Sequence, residues 1–341
     1  DFRAARAKVY LKNGKTRLAL ADCEEARELA PFLADAKSTL AEIYNTMGEF
    51  EKAIESGTAA IGTDPDSAPS YLYRGYAYAQ LGDHVKAISD FTQAIELAPA
   101  AIRPYLDRGE SYGKLGKDDE AIIDYTEAIR IDATNAEAYR NLGTAYHRKE
   151  EYDEALVKFT DAIRLNPGYV SAYYRRAAVY KAKKQYDEAF EDYKEVIRLR
   201  PDHALAYYGQ ATVCQGRKEY ERAVELYRKA ISFKADYALA YYGLGTVFEI
   251  SEQPDQAVGS YSESIRLNPN YKTAYYRRGH VYLKKGDRDK AIRDFTETIR
   301  LDPGYRSAYQ FRGIAFEADG DKSQAEADFA KAKELGYEPG Q

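Results

Sequence analysis

Tryptophan is absent from this 341-residue sequence, methionine occurs once, and there are only two cysteines and four histidines. Cys23 and Cys214 are far apart and stand at positions that are otherwise aromatic, so we expect two buried, reduced thiols rather than a disulfide or a metal site. The histidines are scattered, and none has a second metal-ligating side chain at a ligand spacing. The sequence therefore predicts no metal, no cofactor and no catalytic site.

A charge excess of one sign is also lacking, since 50 basic residues face 55 acidic ones and the formal net charge is −5. That balance argues against a nucleic-acid partner, which a broadly basic surface would attract. No apolar run approaches the roughly 18 residues that span a membrane. Residues 1–11 are charged and unlike a secretion signal, and because the chain does not begin with methionine we expect it to be a segment of a longer protein.

Tyrosine, in contrast, occurs 33 times, and its positions follow a period of 34 residues. Proline shows the same period, at Pro31, Pro65, Pro99, Pro167, Pro201, Pro269 and Pro303. One column is alanine throughout: Ala19, Ala53, Ala87, Ala121, Ala155, Ala189, Ala223, Ala257, Ala291 and Ala325. The period predicts ten copies of one supersecondary unit, at 1–33, 34–67, 68–101, 102–135, 136–169, 170–203, 204–237, 238–271, 272–305 and 306–339.

Two helical faces are visible within the copy 136–169. The first is marked by Tyr139, Leu142, Gly143 and Tyr146, and the second by Tyr152, Ala155, Phe159 and Ala162. A proline at the end of the copy stops the second helix. Since the column of Gly143 holds only glycine or alanine in every copy, we expect the two helices to cross there, with the aromatic columns filling the gaps between hairpins.

This pattern resembles the tetratricopeptide repeat family, whose 34-residue signature is matched in the copy 102–135 by Tyr105, Gly109, Tyr112, Ala121, Tyr125 and Ala128. The resemblance implies an all-α fold, an α-solenoid in which antiparallel helix hairpins form a right-handed superhelix, as a single domain over 1–341. It also implies that the first helix of each hairpin lines a concave groove. The first two copies depart most from the signature, at Arg3, Lys37 and Gly57, so we expect them to be the least well packed.

The same resemblance implies that positions 2, 5, 9, 12 and 13 of each copy face the groove. Position 5 is tyrosine in four consecutive copies, at Tyr174, Tyr208, Tyr242 and Tyr276, and Arg140 precedes them. Around the tyrosines lie Arg175, Arg277, Lys181, Gln215, His280 and Lys284, with Glu249 as the obvious acid. These residues predict a site for an extended peptide with apolar side chains and acidic groups. The alternative is that the tyrosines only cover neighbouring helices.

The leading hypothesis is therefore a non-catalytic scaffold that binds a peptide or partner segment in its groove. A second hypothesis is the substrate-recruiting arm of a larger enzyme or signalling protein, and a third is RNA stacking on the tyrosines, which the mixed charge disfavours. Members of the family that clamp a chaperone carboxylate use Lys at position 5 and Asn at position 9, whereas the copy 136–169 has Arg140 and Thr144. No extra helix follows the last copy, so we expect weak self-association through the chain ends.

Overall fold

The structure, a computed structural model, describes residues 2–29 and 33–338. Within these residues there are twenty helices and no strand. Their bounds are α1 Phe2–Lys12, α2 Thr16–Leu29, α3 Ala34–Met47, α4 Phe50–Thr63, α5 Ala68–Gln80, α6 His84–Leu97, α7 Ile102–Lys114, α8 Asp118–Ile131, α9 Ala136–Arg148, α10 Tyr152–Leu165, α11 Val170–Ala182, α12 Tyr186–Leu199, α13 Ala204–Gly216, α14 Tyr220–Phe233, α15 Ala238–Ile250, α16 Pro254–Leu267, α17 Lys272–Lys285, α18 Arg288–Leu301, α19 Arg306–Asp319 and α20 Lys322–Glu334. The predicted repeat pattern also includes Pro31 and, at the end of the last copy, residue 339. Pro31 and residues 339–341 lie outside the described residues.

Each copy folds as a hairpin of two helices, here called the first and second helix of the copy. From α3 onward, every first helix begins at the residue where the 34-residue period places the start of a copy. A turn as short as residues 48–49 joins the two helices, so they run antiparallel along each other. The second helix also packs against the first helix of the next copy, as α8 does against α9. The predicted all-α architecture of stacked hairpins is confirmed.

The turn inside each hairpin depends on one residue in the left-handed conformation. Gly116 has φ of 71° at the end of α7, and Glu150 has φ of 62° at the equivalent place after α9. Lys184, Lys218 and Glu252 continue this column in the next three copies. A residue with positive φ lets the backbone N–H groups that follow bond to the last helical carbonyls, which ends the helix at a fixed residue. The sequence pattern did not predict a left-handed residue at this point.

The internal contacts divide the chain into two compact units, Asp1–Val179 and Tyr180–Gln341. In the first unit a core cluster forms around Tyr105, Tyr125 and Leu142. In the second unit the largest fully buried side chains include Tyr193, Tyr227, Tyr261 and Phe295. A single domain over 1–341 stays a prediction.

The glycine and alanine column exists because an aromatic ring of the same hairpin occupies the space beside it. A Cβ atom on Gly143 would lie 2.9 Å from the ring of Phe159, and one on Gly245 would lie 2.7 Å from the ring of Tyr261. Both distances are below the contact distance of real Cβ atoms. The column therefore serves ring packing within the hairpin, as well as the close approach of the two helices that the sequence predicts.

Cys23 and Cys214 are both buried and unpaired within the described residues. Burial raises the pKa of the Cys23 thiol to about 12 and that of Cys214 to about 11. Such thiols behave as small apolar groups, and the predicted burial of both cysteines is confirmed.

Ion pairs between the two helices of a hairpin were not predicted. Arg108 of α7 makes two parallel bonds to Asp124 of α8, with Nε–Oδ2 at 2.9 Å and Nη2–Oδ1 at 2.7 Å. Its third nitrogen, Nη1, donates to Thr92 Oγ1 of the preceding copy at 3.0 Å. The same bidentate pair occurs at Arg6–Asp22, Arg74–Asp90, Arg278–Asp294 and Arg312–Asp328. We call this set the ion-pair ladder.

Candidate functional site

Three of the four predicted tyrosines lie on the first helices of the second unit and repeat one local geometry. The ring of Tyr208 lies 5.1 Å from that of Tyr237, and the two planes are inclined at 46°. Tyr242 and Tyr271 are 5.0 Å apart at 50°, and Tyr276 and Tyr305 are 5.0 Å apart at 45°. We call these six residues the tyrosine array. Its members are half-buried except Tyr237, which is buried.

The sequence analysis did not identify the second row of the array, which stands at position 34 of each copy. These tyrosines occupy the N-cap position of the next first helix, where Ser, Asp or Asn normally accepts a backbone N–H. Asn135 does so for Ala138 at 3.0 Å, whereas Tyr237, Tyr271 and Tyr305 make no side-chain cap bond. The sequence did contain a signal, because an aromatic residue is unusual at an N-cap position.

Each position-5 tyrosine of the array also contacts the packing ring of its own hairpin. Tyr208 lies 5.8 Å from Tyr227, Tyr242 lies 5.7 Å from Tyr261, and Tyr276 lies 6.0 Å from Phe295. Tilted aromatic pairs of this kind contribute about 0.5–1.5 kcal/mol each beyond burial. The array is therefore held rigidly by the core, and the packing alternative accounts for part of its role.

Tyr174, the fourth predicted tyrosine, belongs to the first unit. It is half-buried on α11, and burial raises the pKa of its hydroxyl. The neighbouring Arg175 is half-buried on the same helix.

Glu249 brings two of the predicted groove residues of the second unit, Arg277 and His280, into one cluster. Its Oε1 lies 3.1 Å from His280 Nδ1 and 3.7 Å from Arg277 Nη1, and its Oε2 accepts a bond from the hydroxyl of Tyr261 at 2.7 Å. Burial raises the pKa of Glu249, but the bonds from His280 and Tyr261 and the charge of Arg277 outweigh it, so the pKa is lowered. Because Arg277 and His280 already face a carboxylate, they are less free to bind an acidic ligand than the sequence suggests.

Gln215 and Lys181 are half-buried and partly engaged. Gln215 Oε1 accepts a bond from the hydroxyl of Tyr227 at 2.7 Å, the same arrangement that Glu249 makes in the next copy. Lys181 Nζ lies 3.5 Å from Thr212 Oγ1, and burial lowers the pKa of its ammonium group. Lys284 is exposed beside a cavity of about 310 Å³ that Glu249 also lines. The structure thus brings Arg277, His280 and Lys284 close to Glu249, and places Lys181 and Gln215 in separate contacts. The binding role of these residues stays a prediction.

Arg140 belongs to the first unit, and its guanidinium is held by an aromatic residue. Its Nε donates to the hydroxyl of Tyr169 at 3.1 Å, and its charge lies over the same ring at 5.9 Å. A carboxylate oxygen of Glu137 is 3.7 Å away. Tyr169 stands at position 34, like the second row of the array, so an aromatic residue there supports position 5 in this copy too.

Family models match the chain over most of its length. Models described as TPR repeat or tetratricopeptide repeat match residues 4–68, 68–100, 112–150, 136–169, 169–236, 251–286 and 273–305. The chain belongs to the tetratricopeptide repeat family. A comparison with curated proteins gives no match.

One solved structure agrees with this assignment at the level of the fold, and two others show a more limited similarity. A tetratricopeptide repeat protein from Parabacteroides merdae matches with a TM-score of 0.58 and 19% identity, covering 73% of this chain and 98% of that one. The crystal structure of MamA matches with 30% identity and a TM-score of 0.45, over 49% of this chain and 91% of MamA. YrrB, described as a TPR protein with an unusual peptide-binding site, matches with 26% identity and a TM-score of 0.46, over 52% of this chain and 92% of YrrB.

Tetratricopeptide repeats are generally non-catalytic protein-interaction modules, so membership of the family supports a role as a protein-interaction scaffold. Among residues 2–29 and 33–338 no group of three or more His, Cys, Asp or Glu side chains is placed to hold a metal ion. In the same part of the chain, no helix has the length and apolar character needed to traverse a bilayer. The acidic run Asp118–Asp119–Glu120 lies in the first turn of α8, where carboxylates stabilise the N-terminus of a helix.

A titratable acid lies among the first helices of the tetratricopeptide repeats in the first unit. Asp107 is buried on α7 and pairs with Arg103 at 2.8 Å. Burial raises the pKa of Asp107 to about 6, although Arg103 opposes the shift, and Glu110 and Glu137 add to it. The folded protein therefore holds a proton on Asp107 between about pH 4 and pH 6 where the unfolded chain has lost it, so this contribution to stability falls as pH rises through that window.

We expect Asp107→Asn to raise the free energy of unfolding by about 1–3 kcal/mol near pH 7, since one pKa unit corresponds to about 1.4 kcal/mol. The difference from the wild type should shrink as the pH is lowered towards about 4. Urea denaturation of both proteins across this range measures it. Glu96→Gln, which removes an exposed acid, serves as the control. A gain that does not depend on pH would contradict the assignment to Asp107 ionisation.

Proposed function

We propose that this chain binds an extended peptide segment of a partner protein on the face formed by the first helices, with the tyrosine array as the main contact surface. The observation that carries the proposal is the repetition of one tyrosine pair, with rings 5.0–5.1 Å apart, in three successive repeats. An extended chain also repeats its side chains at a constant step, so a regular row of contacts suits it.

The chemistry of the array suits a peptide as well. Tyrosine offers a large contact area, loses little conformational entropy on binding, and carries one hydroxyl for hydrogen bonds. The rings are already fixed by the packing aromatics beneath them, which reduces the entropy lost on binding. Tyr237, Tyr271 and Tyr305 stand where a cap residue would otherwise stabilise the next helix. The ring contacts offset part of that loss.

Peptide selection tests the proposal. A random peptide library would be selected against the intact chain, and the dissociation constant of the best peptide measured. Changing Tyr208, Tyr242 and Tyr276 together to alanine should weaken binding at least about tenfold, because aromatic anchors carry most of the energy of such interfaces. Tyr174→Ala is measured separately, since that residue belongs to the first unit.

The chain itself offers a matched control at the preceding position. Tyr207, Tyr241 and Tyr275 are half-buried tyrosines of the same three helices. Tyr207 stacks on Phe233 at 5.4 Å and donates to the carbonyl of Pro201, which is a packing role. Changing these three to alanine removes the same number of rings and should leave affinity nearly unchanged. Equal losses in both variants, at equal helicity, would show that the array acts only in packing.

A further inference from the structure

A cavity of about 280 Å³ in the first unit is lined by basic side chains that the fold does not fully neutralise. It lies among α7, α9 and α11, and we call it the arginine cavity. Its basic residues are Lys114, Arg140, Arg148 and Arg175. Glu110 is the acidic residue of its lining, so the cavity carries a formal excess of positive charge.

Two of these basic residues, Arg148 and Arg175, differ in whether a carboxylate pairs with them. Arg148 is held by Asp118, with its Nη2 and Nε at 2.5 and 2.6 Å from one carboxylate oxygen. For Arg175, no carboxylate partner is found among residues 2–29 and 33–338. Arg277, at the same repeat position in the second unit, lies 3.7 Å from Glu249. Within the part of the chain that the structure describes, Arg175 therefore differs from its equivalent in lacking a carboxylate partner.

Leaving a half-buried cation without an anion is unfavourable. Burial lowers the pKa of Arg175, and the charges of Arg140 and Arg148 lower it further. A guanidinium nevertheless stays protonated at neutral pH, so the repulsion is present in the folded protein. An apolar residue of similar size would avoid the desolvation, which makes a structural role a poor explanation for Arg175.

We propose that the arginine cavity binds an anionic group, a carboxylate or a phosphoryl group, carried by a peptide partner. This inference rests on the proposed function in taking a peptide as the carrier. Arg175 supplies the unneutralised fork of donors, Arg140 and Lys114 add charge, and the buried amide of Asn141 lines the same cavity. Guanidinium groups suit both oxyanions because their parallel N–H donors match two oxygens at once.

A peptide anion fits the cavity better than a nucleic acid does. Nucleic acids present phosphates in a continuous series and require a track of cations along the protein. The cations here gather in one cavity, whereas on the first helices of the second unit Arg277 and His280 already surround Glu249. The net charge of −5 also disfavours a polyanion.

The first test uses inorganic phosphate alone, measured by isothermal titration at constant ionic strength. The wild type should bind phosphate, and Arg175→Met should bind it about tenfold to a hundredfold more weakly, since a charged hydrogen bond contributes about 1.5–3 kcal/mol. Without phosphate, Arg175→Met should melt at the same temperature as the wild type or higher. Arg164→Met removes an exposed charge from the preceding repeat and should not change phosphate binding. Absence of phosphate binding, or equal weakening by both variants, overturns the proposal.

A second substitution, which is expected to tighten phosphate binding, distinguishes an effect on binding from an effect of misfolding. Glu110 is exposed, so the Glu110→Gln protein should fold normally. Because the substitution removes the repulsion between the Glu110 carboxylate and the phosphate, it should tighten phosphate binding. Weaker or unchanged binding in a folded Glu110→Gln protein overturns the proposal, whatever the behaviour of Arg175→Met.

The second test identifies the source of the anion. Peptides that are identical except for one central phosphoserine, glutamate or serine would compete against a labelled phosphoserine peptide. Preference for phosphoserine indicates a phosphoryl ligand, preference for glutamate a carboxylate, and both support the proposal provided that Arg175→Met removes the preference. Competition by homopolymer RNA as strong as by the best peptide would assign the cavity to nucleic acid and overturn it. Triple alanine replacement at Tyr208, Tyr242 and Tyr276 should leave phosphate binding intact, so failure of the array and failure of the cavity are distinguishable.

Discussion

Asp124→Ala should lower the free energy of unfolding of the first unit by about 3–5 kcal/mol, because it leaves the guanidinium of Arg108 buried without its counter-charge. The side chain of Asp124 is only 2% exposed and that of Arg108 is 17% exposed. Hydrogen exchange of the amides in α7 and α8, together with urea denaturation, measures the loss. Since the stability of a repeat array is shared between neighbours, the faster exchange should extend into α6 and α9.

The chain provides the control for this prediction. In the copy 238–271 the equivalent positions are Leu244 and Ser260, so that copy folds without the ion pair. The double variant Arg108→Leu, Asp124→Ser copies that combination and should be much more stable than Asp124→Ala alone, because both buried charges are removed together. If the double variant is as unstable as the single one, the attractive interaction of the pair, and not the unpaired charge, governs the loss.

Tyr261→Ala should have a comparable effect in the second unit. Tyr261 is fully buried, and its ring fills the space beside Gly245 and supports Tyr242. Truncation of a buried aromatic residue to alanine lowers stability by about 3–5 kcal/mol, since it combines lost burial with a cavity. It should also weaken peptide binding by the tyrosine array, because Tyr242 loses the ring beneath it. Denaturation and titration with a selected peptide measure the two effects.

Tyr261→Phe separates the ring from the hydroxyl. It keeps the packing but removes the 2.7 Å bond to Glu249, so the expected loss is about 1 kcal/mol. His280 and Arg277 still face Glu249 in this variant. A loss as large as that of Tyr261→Ala would mean that the hydroxyl and the Glu249 cluster, not the ring, hold this part of the unit together.

Much of the fold was predictable because the sequence repeats. A single copy such as 136–169 shows two helical faces, and ten copies in constant register remove the ambiguity of any one of them. The starts of the first helices follow from this register. The left-handed residue that ends each first helix was not predictable in the middle copies, where Glu150 and Lys184 replace glycine and remove the usual signal.

The candidate site was predictable only in part. The position-5 tyrosines could be named, because the resemblance implies which positions face the groove. Their partners at position 34 stand 29 residues further along, outside the helix, so helical periodicity cannot pair Tyr208 with Tyr237. The pairing of Arg277 with Glu249, and the lack of a carboxylate partner for Arg175 among the described residues, also depend on side chains of other repeats. The sequence shows which charge a residue carries, but it does not show whether neighbouring side chains neutralise that charge.

The three tyrosine pairs have equal geometry, and this determines how the binding surface can change in length during evolution. Since Tyr208–Tyr237, Tyr242–Tyr271 and Tyr276–Tyr305 each lie within one copy, duplication of a single 34-residue segment in the gene adds a complete pair. No compensating change elsewhere is needed for the new pair to form. Unequal recombination can therefore lengthen or shorten the surface in whole steps, and each step changes the number of contacts open to a long ligand and hence its avidity.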